Sequence, residues 1–110
     1  MTHHATHIET LDPTEVARLL AAGKLLLIDV REAGEYAAER IQGALLYPLS
    51  TFDASVLPHD GARRVVFHCA AGKRSLAAAE KRLAAGSPHA AHMGGGIAAW
   101  KAAGLPVIAP

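Results

Sequence analysis

Six residues, Leu25 to Val30 (LLLIDV), form an almost unbroken apolar run of strand length. A strand that turns one face to water alternates apolar and polar residues, and this one does not. It therefore belongs inside a sheet that is covered on both faces. A second run, RRVVFHC up to Cys69, has the same character. GALLYPL reads as a short strand ended by Pro48, and AAHM as a further short one.

The segments between these runs carry helix signals. In DPTEVARLLAAGK, Asp12 is placed as N-cap, Pro13 as first helical residue and Glu15 three past the cap. Val16, Leu19 and Leu20 give that helix one apolar face, and Gly23 stops it. REAGEYAAERI reads as a short helix with Tyr36 and Ala37 facing inward. RSLAAAEKRLAAG reads as a helix beginning near Ser75 and closed by Gly86. STFDASVLPHDG is a connection with one helical turn, and GGGIAAWKAAG is a glycine turn into a last helix on which Trp100 packs against the core. Strands alternating with helices specify the α/β class with a mostly parallel sheet. Right-handed crossovers place helices on both faces of it. No repeat or linker divides residues 1–110, so a single domain is expected.

A formal charge of +1 and 19% charged residues give no reason to expect nucleic acid or a membrane surface as partner. No apolar run approaches the roughly 20 residues of a membrane span. MTHHATHIET lacks the basic start and apolar stretch of a signal peptide. A single cysteine cannot form an internal disulfide, and a cytoplasmic location is the expectation. Of the seven histidines, His3, His4 and His7 read as a solvated terminus that enters structure at His7. His89, just before the AAHM strand, and His92, near its end, have no nearby carboxylate or thiolate in sequence and read as surface or satisfied half-buried residues; no metal site is expected.

The lone cysteine has an unusual setting. In an α/β sheet, ligands bind where strands run into helices at their carboxyl ends. Cys69 occupies such a point, followed by Ala70, Ala71, Gly72, Lys73, Arg74 and Ser75. Small residues let the loop backbone curl around the sulfur and aim N–H groups at it. The start of the next helix and the two cations favour the anion further, so the thiol pKa should fall below about 8.5. Cys69 then reads as a nucleophile that needs no dedicated base. The bland alternative is a small hydrophobe at a strand end. His68 is adjacent in the strand, points to the opposite face and reads as structural.

Three blocks, LLIDVREAGEYAAERIQGALLYPL, VVFHCAAGKRS and HMGGGIAAWKAAGLPV, together resemble a single-domain rhodanese, a sulfurtransferase, in order and spacing over about residues 8–107. The resemblance implies a central five-stranded sheet and a thiosulfate-type sulfur transfer. Cys69 would accept the sulfur, and the loop from Cys69 to Arg74 would cradle the persulfide. Lys73 and Arg74 would attract a small anionic donor, and a thiol or a protein would be the acceptor. Ser75 would open the following helix, and no cofactor is required. Asp29 and Arg31 match the family's D-x-R, with Arg31 a rim group, and Glu35-Tyr36 match its E-Y pair.

The residues themselves leave blander readings open. Asp29 can hydrogen-bond loop amides, and Arg31 and Glu35 can form an ordinary helix-surface pair. Gly94, Gly95 and Gly96 fit a tight turn beside the loop better than G-x-G-x-x-G, because Ala99 occupies the final position. Glu39-Arg40-Ile41 and Leu46-Tyr47-Pro48 depart from common family residues. Three rival functions stand: a non-catalytic binding module, a redox sensor, and a phosphatase or arsenate reductase of the C-x5-R type. The C-x4-R spacing here is one residue short for the last.

Overall fold

The computed structural model describes residues 7–110, so His3 and His4 lie outside it. The elements follow as β1 (Ile8–Leu11), α1 (Pro13–Ala21), β2 (Leu25–Asp29), α2 (Ala33–Ala38) and β3 (Leu45–Leu46). Two 3₁₀ turns (Leu49–Thr51 and Ala54–Val56) lead to β4 (Arg64–His68), α3 (Lys73–Ala84), β5 (Ala90–Met93) and α4 (Gly96–Ala102). The five strands form one sheet in the order β1-β5-β4-β2-β3, and every pairing is parallel.

Strand β4 is thus central, with β2 on one side and β5 on the other. Leu25, Leu27, Val66, Ala91 and Met93 pack on one face of the sheet with Val16 of α1 and Ile97 and Trp100 of α4. Ile28, Val65, Phe67 and Ala90 pack on the other with Ala78 and Ala79 of α3. The absence of polar alternation in the central strands is the sequence trace of these two covered faces. The indole Nε1–H of Trp100 donates to the Pro106 carbonyl at 2.8 Å, which closes the C-terminal tail onto α4.

Several expectations need correction. Strand β1 (IETL) escapes a residue-by-residue reading, because only Ile8 and Leu11 are apolar; it is defined by pairing with β5. Helix α3 begins at Lys73, two residues before Ser75, because Gly72 already supplies the N-cap. The connection before β4 holds two short turns where one was expected. Ala37 is exposed, whereas Tyr36 is half-buried and donates its hydroxyl to the Ala44 carbonyl at 2.7 Å. Among the described residues, no helix is long and apolar enough to cross a membrane.

Candidate active site

Cys69 follows the last residue of the central strand and is 1% exposed. Its Sγ accepts the backbone N–H of Gly72 at 3.1 Å and that of Ser75 at 3.3 Å. The Ser75 hydroxyl lies 3.6 Å from the sulfur. The curl depends on Gly72, whose φ of 109° is a left-handed conformation that favours glycine.

The back of the loop is held by α4. Ile97 N–H donates to the Cys69 carbonyl at 2.8 Å, and Ala98 N–H to the Ala70 carbonyl at 3.1 Å. With those carbonyls turned toward α4, amide groups of the loop are free to face the sulfur. Such an approach requires glycine at Gly96, where a Cβ would lie 2.4 Å from the Cys69 carbonyl oxygen. The glycine triplet is therefore the tight turn expected beside the loop.

Burial pushes the Cys69 thiol up. The Ser75 hydroxyl and the amides of Ser75, Gly72 and Ala71 outweigh that, and hold it below its ordinary value. The result is a shielded, polarised sulfur at the carboxyl end of the sheet, a setting suited to nucleophilic chemistry.

The cations behave differently from expectation. Lys73 is exposed, in the first turn of α3. Arg74 is not a free rim charge: its guanidinium grips Glu35 in a two-pronged pair at 2.8 and 2.9 Å. The Arg74 hydrogen bonds carry Glu35 down to about 2. Arg31 is no rim group either. It is 3% exposed and pairs with fully buried Asp29 at 2.8 Å. Its Nη2 also donates to the Glu39 carbonyl at 2.7 Å. Asp29 accepts the Arg31 amide at 3.0 Å, the loop-amide role expected of it. The helix-surface pair between Arg31 and Glu35 does not form, since Asp29 takes the Arg31 guanidinium and Arg74 takes the Glu35 carboxylate.

Two histidines escaped the sequence reading. His89 Nε2 lies 3.1 Å from the Asp60 carboxylate, which also meets Arg82 at 3.3 Å. His92 is 6% exposed, with Nδ1 2.8 Å from the Ser75 hydroxyl, one contact away from Cys69. Only the inward direction of a fully buried β5 could have hinted at this. His68 is fully buried on the face away from Cys69, and burial lowers its pKa, as a structural role requires. Among the described residues no group of His, Cys, Asp and Glu could hold a metal ion.

A family model for the rhodanese-like domain matches residues 12–103. The chain belongs to this family. A sulfurtransferase of Allochromatium vinosum is 36% identical over 84% of this chain and 87% of its own length. The human thiosulfate:glutathione sulfurtransferase is 30% identical over 83% of this chain and 91% of its own. The human single-domain sulfurtransferase TSTD1 superposes with a TM-score of 0.75 at 30% identity, over 84% of this chain and 95% of that one. Other relatives are longer: the chain spans 55% of an uncharacterized Synechocystis protein and 24% of a probable adenylyltransferase/sulfurtransferase, MoeZ, of Mycobacterium tuberculosis.

The family departures fall outside the cysteine loop, and their side chains have partners of their own: Glu39 meets Lys101, Arg40 lies over the Tyr36 ring, and the Tyr47 hydroxyl accepts the Asp53 amide. Glu39 offers its carbonyl to Arg31, Arg40 bridges Ile108 through the main chain, and Ile41 lies in the core. Tyr47 packs on Phe52 with ring centroids 5.1 Å apart. None of them alters this rhodanese-like loop.

Proposed function

We propose that the protein is a sulfurtransferase that carries a sulfane sulfur as a Cys69 persulfide, with thiosulfate or a similar anion as donor and a thiol as acceptor. The observation that carries this reading is the Cys69 sulfur, held by the Gly72 and Ser75 amides within a C-x4-R loop. The names of the Allochromatium and human relatives support the activity, and the human one supports the donor and acceptor class.

The Cys69 thiolate attacks the outer sulfur of thiosulfate. A new S–S bond forms as the old one breaks, and its electron pair leaves with sulfite. Loop amides that hold the thiolate are equally placed to stabilise the negative persulfide. An acceptor thiolate (or cyanide in an assay) then attacks the terminal sulfur. The Cys69–S bond breaks, and its pair returns to the Cys69 thiolate. The sulfur itself is the carried group, so no further cofactor enters.

The short loop favours this reading over phosphatase chemistry, because its cradle suits a single sulfur. Thiocyanate formation from thiosulfate and cyanide tests the proposal. The Cys69→Ser variant, with an unchanged circular dichroism spectrum, is expected to fall to the uncatalysed rate. Retained turnover in that variant, or phosphomonoester hydrolysis by the wild type in place of thiocyanate formation, would overturn it.

A further inference from the structure

His92 lies on β5 behind the cysteine loop, and its two ring nitrogens face two hydroxyls. Nδ1 is 2.8 Å from Ser75 Oγ, and Nε2 is 3.3 Å from Thr10 Oγ1 of β1. Across the sheet its register partner on β4 is Phe67, which is apolar. Burial lowers the pKa of the ring, so His92 is neutral at ordinary pH and carries one N–H. The position of that proton decides what the Ser75 hydroxyl can do.

Ser75 Oγ has one proton to give and two lone pairs to fill. It faces three groups: the Gly72 carbonyl at 3.1 Å, Cys69 Sγ at 3.6 Å and His92 Nδ1. If Nδ1 were bare it would take the hydroxyl proton, as the closest of the three, and the cysteine would lose that donor. If Nδ1 carries the proton, it donates to Oγ and leaves the hydroxyl proton free. With Cys69 as a thiol, Oγ then accepts S–H and Nδ1–H and donates to Gly72, which satisfies every site on the hydroxyl. With Cys69 as a thiolate, a rotation of the same hydroxyl turns its proton to the sulfur while Nδ1–H still holds Oγ.

We propose that His92 is a positioning residue for Cys69: as the Nδ1–H tautomer, with Nε2 accepting from Thr10, it holds the Ser75 hydroxyl so that its proton serves the thiolate. The proposal deepens the sulfurtransferase reading and rests on it for its purpose. Its geometry concerns the thiol alone. The groups that face Cys69 are the loop amides and the Ser75 hydroxyl, and Arg74, a cation that feels its charge, is held by Glu35. The His92 ring meets hydroxyls on β1 and α3.

The test is the pH profile of Cys69 alkylation by iodoacetamide, which needs no sulfur donor. A failure here is therefore distinct from a failure of the sulfurtransferase reading. His92→Leu is expected to raise the midpoint by about one pH unit, slowing alkylation about tenfold below it, as the loss of one hydrogen bond to an anion implies. His92→Asn, whose amide N–H reaches the Nδ1 position, restores most of the rate. His92→Gln, whose amide reaches toward the Nε2 position, does not. In a Ser75→Ala background His92→Leu produces no further shift. Equal shifts in both backgrounds, or no difference between Asn and Gln, would overturn the proposal. Imidazole ¹⁵N spectra of the wild type read the tautomer without any variant. Protonation at Nδ1 is expected, and an Nε2–H ring would contradict it.

Discussion

Glu35 and Arg74 stand 39 residues apart in sequence and meet at the edge of the cysteine loop. Half-exposed, the pair contributes below about 1 kcal/mol to stability after solvent screening. Its larger consequence is for the charge that a donor meets. Arg74→Ala leaves Glu35 uncompensated beside the loop and is expected to raise KM for thiosulfate about three- to fivefold, in keeping with an exposed charge contact. Glu35→Gln frees the guanidinium and is expected to lower that KM. Steady-state kinetics of the two variants check this, and shifts of the same sign would contradict it. The pair also has an acid signature. Glu35 titrates near 2 when folded, against 4.5 ordinarily. Its contribution is complete above 4.5 and is lost as pH falls from there toward 2. Urea titrations of wild type and Glu35→Gln should differ at pH 6, and the difference should shrink steadily as pH falls from 4.5 toward 2. At this scale the sequence was uneven. Cys69, its small-residue loop and the amide role of Asp29 were legible. The pairing of Glu35 with Arg74 was not, because the two lie on different helices, and i,i+4 spacing drew Arg31 to Glu35 although its partner Asp29 is two residues away. The partner of His92 escaped for the same reason: Ser75 reaches it only across the packing of α3 on β5.

At the scale of elements, α4 does more than close the core. Its first amides take the Cys69 and Ala70 carbonyls, and Gly96 lets the two backbones meet. Gly96→Ala places a methyl group against that carbonyl at a φ of 61°. A loss of about 2–3 kcal/mol is expected from overpacking and backbone strain together. Cys69 alkylation should change with it, because the loop must move. A variant with unaltered stability and unaltered thiol reactivity would show that the contact does not position the loop. Helix α1 was readable residue by residue, since its cap, proline and apolar face are local signals. The Asp12 carboxylate indeed accepts the Glu15 amide at 3.0 Å. Strand β1 and the onset of α3 were not, because the first depends on pairing with β5 and the second on a glycine cap in a loop.

At the scale of the molecule, the parallel order β1-β5-β4-β2-β3 puts the loop at the end of the central strand. Strand β2 is followed by β3 on one side and its neighbour β4 by β5 on the other, and the crevice between two such diverging connections is where an α/β sheet binds its ligand. Alternating apolar runs and helix signals made the class and the two covered faces legible. Strand order is a long-range property that no residue-level signal carried, and the resemblance of the three blocks implied only a five-stranded sheet. Five of the six buried polar or charged residues among those described, Asp29, Arg31, His68, Ser75 and His92, gather toward this end of the sheet. Of these, Ser75 meets the sulfur, His92 reaches it through Ser75, and Asp29 and Arg31 satisfy each other.

The central claim is that this sulfur accepts another. The most direct test is the intact mass of the reduced protein before and after thiosulfate, with glutathione persulfide as a second donor and Cys69→Ser as control. A gain of one sulfur atom on the wild type alone, reversed by a mild thiol, is the predicted result. The reversal separates a persulfide from a sulfinic acid of nearly equal mass, which thiols do not reduce. No gain from either donor, in a protein whose Cys69 still alkylates, would contradict the account and leave a rhodanese-like fold that binds without transferring sulfur.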